Sequence, residues 1–187
     1  MTKSLDEASQ ELLKFLIEVI FGGQHYFAVW GYDTADEEKD KWLLDANQRI
    51  FFFQDVETLS KTVALQSNFQ DHEKLKEWSS YLDKQSNPDN ILDFDILKED
   101  FDYLHPSLED LYVLVGLIED YAIQTKHPGM TPLFRSDLFM AFKDQAANTF
   151  LWTGQDEFNK DFDFTTLNKE CHKIHNDLKN KISFPAM

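Results

Sequence analysis

The 187-residue chain contains one cysteine, Cys171, so it can form no internal disulfide. Its six glycines, at positions 22, 23, 31, 116, 129 and 154, nowhere fall into the GxGxxG or GxxxxGKS/T spacing that brings backbone amides close to a phosphate. Nucleotide binding through such a loop is excluded. No serine lies in a GxSxG turn. Long apolar runs are missing too. Residues 19–32 form a stretch of 14 without formal charge, but Gly22, Gly23, Gln24 and His25 interrupt it, and it falls short of the roughly 20 apolar residues of a membrane span. The start MTKSLDEASQ lacks a basic region followed by an apolar core, so the expectation is a cytoplasmic protein. Basic residues are scarce: 18 Lys+Arg face 34 Asp+Glu, a net charge of −16. That sign opposes nucleic acids and anionic membranes and favours a cationic partner.

Aromatic residues are abundant: 17 Phe, 6 Tyr and 4 Trp are enough apolar mass for a folded core. One domain over 1–187 is the expectation from this length. Ser4 with Glu7 three residues later forms a capping box, and Leu5, Leu12, Leu16, Val19 and Ile20 recur at helical spacing, predicting a helix over about 5–21 that ends at Gly22-Gly23. HYFAVWGY (25–32), KWLLD (41–45) and RIFFF (49–53) read as three antiparallel strands. Apolar residues on both parities of the first and third imply a sheet covered on both faces. Asp55 and Asp71 are predicted to open helices. The turn-rich stretch DKQSNPDN (83–90) divides the chain into lobes 1–86 and 87–187. Beyond it, Ser107 begins a helix to about Lys126 whose apolar residues surround most of its circumference, predicting a central helix. Ser136 or Asp137, and Thr165 or Thr166, start two more. The fold class is α+β, with a small antiparallel sheet in the N-terminal half packed by helices and a mostly helical C-terminal half.

Chemistry is thinly represented. Cys171 and His175 are four residues apart, on one face of a predicted helix with His172 beside them, but no second ligand cluster completes a tetrahedron. They read as a half-buried cysteine beside surface histidines. Asp-x-Asp pairs occur at Asp93/Asp95, Asp100/Asp102 and Asp161/Asp163. An EF-hand begun at Asp161 would need glycine sixth and glutamate twelfth, where the chain has Thr166 and His172. Asp89, Asp95 and Lys98 could be arranged as in a metal-dependent nuclease or hydrolase, against the cost of docking a polyanion on an anionic surface. The expectation is no enzyme, no metal and no cofactor.

Charge distribution is the more informative feature. Residues 89–120 carry ten acids against Lys98 alone, a net of −9. The segment between the first two predicted strands adds Asp33, Asp36, Glu37, Glu38 and Asp40 against Lys39. Tyr32, Phe94, Phe101 and Tyr103 interrupt these acids. Rings inside a carboxylate rim suit an interface with a basic protein, because the rings supply desolvated contacts and the charges steer the encounter. The predicted contact residues are Asp33, Asp36, Glu37 and Glu38 in the first region. In the second they are Asp93, Asp95, Asp100, Phe101, Asp102, Tyr103, Glu109 and Asp110.

HYFAVWGYD with its acidic turn, KWLLDANQRIFFF, the DVETLSKTVA helix and NILDFDILKEDFDYL together resemble immunity proteins of bacterial polymorphic toxins, especially those of contact-dependent growth inhibition. The resemblance implies a dedicated inhibitor that binds the C-terminal domain of one cognate toxin, commonly a nuclease and hence basic. An acidic surface that competes for the cations a nuclease presents to phosphates would inhibit by occlusion, and the expected complex is a monomer bound 1:1. A DNA-mimic inhibitor of another DNA-binding protein would use the same acidity.

Overall fold

A computed structural model describes residues 3–37, 39–152 and 158–185. It divides into two compact units, one of residues 1–92 and 180–187, the other of 93–179. The fold is α+β.

In the first unit, helix α1 (Leu5–Leu12) opens with the capping box expected from the sequence: Glu7 N–H donates to Ser4 Oγ and Ser4 N–H to the Glu7 carboxylate. The predicted helix to residue 21 is corrected. Leu13 adopts a left-handed conformation (φ 56°), and β1 (Lys14–Phe21) follows at once. The run KFLIEVIF is rich in β-branched and aromatic residues, and β2 (Gln24–Asp33) is available to pair with it, so the strand wins over a spacing that fits a helix nearly as well. Gly22 and Gly23 end no helix. Both have positive φ (62° and 70°) and form the two-residue turn of an antiparallel hairpin that pairs Phe21 with Gln24 and Lys14 with Gly31. A side chain at Gly31 would collide with the backbone of Leu13 and Lys14, so this register needs glycine.

β3 (Lys39–Trp42) pairs antiparallel with β2. The third predicted strand is shorter than expected and placed differently. β4 (Ile50–Phe51) pairs in parallel with β6 (Ile182–Ser183) and touches the larger sheet through the bridges Phe27–Phe53 and Leu44–Ile50. β5 (Asn90–Asp93) completes the order β3-β2-β1-β5. Helices α2 (Val56–Leu65) and α3 (His72–Ser79) join α1 over one sheet face, where Leu16, Val29, Leu43, Phe53, Leu59, Val63, Leu75 and Trp78 form the core. Ile17, Val19 and Ala28 on the opposite face are buried as well.

The second unit starts at Asp93, a few residues beyond the lobe boundary read from the sequence. A 3-10 turn (Phe94–Lys98) packs on the long helix α7 (Phe164–Leu178) through Phe94, Ile96 and Leu97. Helix α4 (Leu108–Gln124) buries Leu111, Leu114, Val115, Ile118 and Tyr121. It is not apolar-buried all round: Val113 and Ile123 are exposed on its other side. Helices α5 (Met130–Phe134) and α6 (Asp137–Ala147) pack on it, α6 being capped by Ser136 as predicted. The cap of α7 is Asp163 rather than Thr165 or Thr166, its carboxylate accepting from the N–H and hydroxyl of Thr166.

Candidate interaction surface

The two acidic regions predicted to meet a partner differ in how their charges are used. In the first, Asp33 at the end of β2 is wholly buried and leaves the list of contact residues. Its carboxylate accepts from Lys41 Nζ (2.7 Å), Gln70 N–H (2.7 Å) and Asp71 N–H (3.1 Å). Burial alone would push this acid up, but the Lys41 ammonium and the two amides outweigh it and hold Asp33 below the usual carboxylate range. Asp36 bridges Lys39 and Lys41, each at 2.8 Å, and these ammoniums hold it low. Glu37 alone among the described predicted contacts of this region is fully open to solvent. Glu38 lies outside the described residues.

Behind this loop lies a feature the sequence reading missed. Lys14, at the first position of β1, is completely buried. Its ammonium donates to Asp71 Oδ2 (2.9 Å), to Leu12 O (3.2 Å) and to Tyr32 O, and stands 5.2 Å over the Phe69 ring. Burial pushes the Lys14 pKa down against the opposing pull of Asp71. Asp71 Oδ2 also accepts from the N–H and hydroxyl of Thr34, and so ties the first residue after β2 to the start of α3. Asp71 thus does more than open a helix, and its side chain makes no cap hydrogen bond there. The available signal was a lysine at the head of a strand whose one other charged residue is Glu18, in a chain poor in basic residues. The acid loop is therefore braced from within at Asp33 and Asp36, whose charges face Lys41 and Lys39.

In the second region the acids divide. Asp93 caps the 3-10 turn through Asp95 N–H (2.8 Å), and Asp95 faces Lys98 (3.0 Å) and the buried His175 (3.3 Å). These two act inside the unit. Phe101, predicted as a partner contact, is buried. The Asn168 amide accepts from Phe101 N–H and donates to Phe101 O, both at 3.0 Å, and the ring packs on His105. The neighbours point outward. Asp100 is 86% exposed, and Asp102, Glu109 and Asp110 are exposed too, as is Glu99, which the sequence reading had not singled out. Tyr103 is 38% and Leu104 70% exposed among them. Leu104 carried no signal of its own, being one leucine in a chain full of them.

The remaining groups with possible chemistry are engaged structurally. Cys171 is fully buried rather than half-buried, and burial pushes its thiol up to about 12, too high for a thiolate nucleophile. His175 is buried rather than at the surface, and burial lowers its pKa. Among the described residues, no group of three or more His, Cys, Asp or Glu side chains is placed to hold a metal ion. A shallow cleft of about 460 Å³ lies over α7, lined by Asp100, Thr165, Asn168, Lys169 and His172. His172 Nε2 stands 3.8 Å from Asp100, beyond hydrogen-bond range. No helix of the described residues is long and apolar enough to cross a membrane.

No protein-family model and no curated protein sequence matches the chain. Among solved structures it is similar to the crystal structure of the SatS C-terminal domain in complex with bromine, with a TM-score of 0.58 and 13% identity, covering 95% of this chain and 96% of that one. At that identity the likeness is one of fold.

Proposed function

We propose that this chain is an immunity-type inhibitor, a monomer that binds one cognate basic toxin domain in the cytoplasm of the producing cell and blocks it by occlusion. The observation that carries this reading is the segment 99–110. There the exposed acids Glu99, Asp100, Asp102, Glu109 and Asp110 share one short segment of chain with the exposed side chains of Tyr103 and Leu104. A nuclease must present Lys and Arg to phosphates, so such a surface competes for the same cations while its apolar centre excludes water. Buried Phe101, clamped by Asn168, holds the backbone of this segment in place and reduces the ordering cost of binding. Of the acids that a metal-dependent nuclease or hydrolase could use, Asp93 and Asp163 serve as helix caps, Asp95 faces Lys98 and His175, and Asp89 accepts from Leu16 N–H.

The test is co-expression with the basic C-terminal domain of a toxin encoded beside this gene. Restored growth and a 1:1 complex on size exclusion are the expected results. Unrelieved toxicity with no complex overturns the proposal. So does metal-dependent turnover of a nucleic acid by the purified chain that disappears in Asp93→Asn/Asp95→Asn.

A further inference from the structure

Helix α4 has a second apolar stripe. Its buried stripe accounts for Leu111, Leu114, Val115, Ile118 and Tyr121. The other holds Val113, Gly116 and Leu117, three or four residues apart along one side, with Val113 38% exposed; Asp120 continues the same line and Ile123, 50% exposed, lies beyond it. An open groove of about 390 Å³ lies along it, floored by Val113, Gly116 and Leu117 of α4 and bounded by Lys143 of α6. A Cβ added at Gly116 would meet nothing within 4 Å, so the middle of the floor has room for an incoming side chain. Met140, one turn before Lys143 on α6, is 50% exposed.

Charge selects the occupant. Glu109 and Asp110 stand one turn before Val113, Asp120 lies in line with Val113 and Gly116, and both Glu119 and Asp120 line the groove. The basic residue lining the groove, Lys143, is bound to Glu119 at 2.7 Å. A second copy would oppose acid to acid, and a nucleic acid or anionic membrane would be repelled. We infer that this groove seats a basic amphipathic helix of a partner protein, its apolar stripe laid over Val113, Gly116 and Leu117 and its Lys or Arg residues against Glu109, Asp110 and Asp120. The inference rests on reading the chain as a binder of a basic protein and names the structural element it recognises. Glu109 and Asp110, the last acids of the 99–110 segment, precede Val113 by one turn of the same helix, so the segment and the groove lie along one continuous stretch of chain.

The probe is an 18-residue Lys/Leu peptide with one apolar helical face, compared with a scrambled isomer of identical composition and charge, titrated into the full chain. The amphipathic isomer is expected to bind at least tenfold tighter and to shift the amide resonances of residues 112–120. In Gly116→Lys the groove is filled and given a positive charge, while the exposed helix gains a better helix former than glycine. This variant is expected to lose at least tenfold in peptide affinity with an unchanged or higher melting temperature. Equal binding of the two isomers, or undiminished binding by folded Gly116→Lys, overturns the inference. If Gly116→Lys neutralises the co-expressed toxin domain as well as wild type does, the groove assignment fails and the inhibitor reading stands. If the groove takes the peptide selectively but no toxin domain is neutralised, the reverse holds.

Discussion

The loop 33–40 and the segment 93–110 look alike as strings of carboxylates, yet the fold puts them to different use. In the first, Asp33, Asp36 and the distant Asp71 are paired with Lys14, Lys39 and Lys41, several of them out of contact with water. In the second, Asp93 and Asp95 are used internally, while Glu99, Asp100, Asp102, Glu109 and Asp110 remain in solvent, in the same segment of chain as the exposed Tyr103 and Leu104. A buried, paired acid contributes to holding the fold. An exposed one retains a field that reaches a partner. Counting acids along a sequence does not separate the two cases.

The sharpest way to break this contrast is Lys14→Met. It leaves Asp71 buried opposite an apolar side chain, and the expected loss of stability is about 3–5 kcal/mol by urea unfolding. Asp100→Asn, in solvent, is expected to stay within about 0.5 kcal/mol of wild type. Similar losses for the two would erase the distinction.

Leu104→Ala and Tyr103→Ala are expected to weaken the complex with a basic partner by about 2 kcal/mol each, mainly through faster dissociation in surface plasmon resonance. Unchanged off-rates would remove the 99–110 turn from the interface. The double reversal Asp100→Lys/Asp102→Lys is expected to slow association about tenfold at low salt and much less at high salt, with the fold intact. Glu37→Lys, beside Lys39 and Lys41, is expected to change it no more than about twofold. An equal effect in both regions would mean that the braced loop steers as strongly as the open one.

Three smaller effects concern groups that the fold hides. Burial holds His175 below the ordinary histidine value near 6.5, so the unfolded chain takes up a proton first. Stability is therefore expected to decline as pH falls below about 6.5, and His175→Gln should remove that part of the decline. Asp33, held below the usual carboxylate range, acts in a separate window. Its contribution is present above the unfolded value near 3.9 and is lost as pH falls from there through the folded value. Cys171, with its thiol near 12, is expected to resist thiol reagents in the folded chain and to react only on unfolding. Rapid labelling of native protein would show that α7 opens.

Much of the fold was legible because its signals are local. The capping box at Ser4, the caps at Asp55 and Ser136, the strand 25–32 and the helix after Ser107 each depend on residues within a turn or two of one another. The error at residues 13–21 has a definite cause. Leu12, Leu16, Val19 and Ile20 satisfy helical spacing, and only pairing with β2 shows that the glycine pair turns a hairpin. β4 keeps an antiparallel bridge, Leu44–Ile50, to the predicted second strand, but its ladder partner β6 lies at the other end of the chain, where no local signal reaches.

The sequence by itself determined the sign of the charge, the lack of a phosphate loop and of a clustered ligand motif, the α+β class and most element starts. These follow from composition and from contacts between near neighbours. Tertiary structure alone decided which acids still carry a field. Whether Asp33 and Phe101 are buried, or Asp100 and Leu104 exposed, depends on partners such as Gln70 for Asp33 and Asn168 for Phe101, dozens of residues away. Desolvation and pairing are properties of a place in space, and an aspartate has the same letter in both.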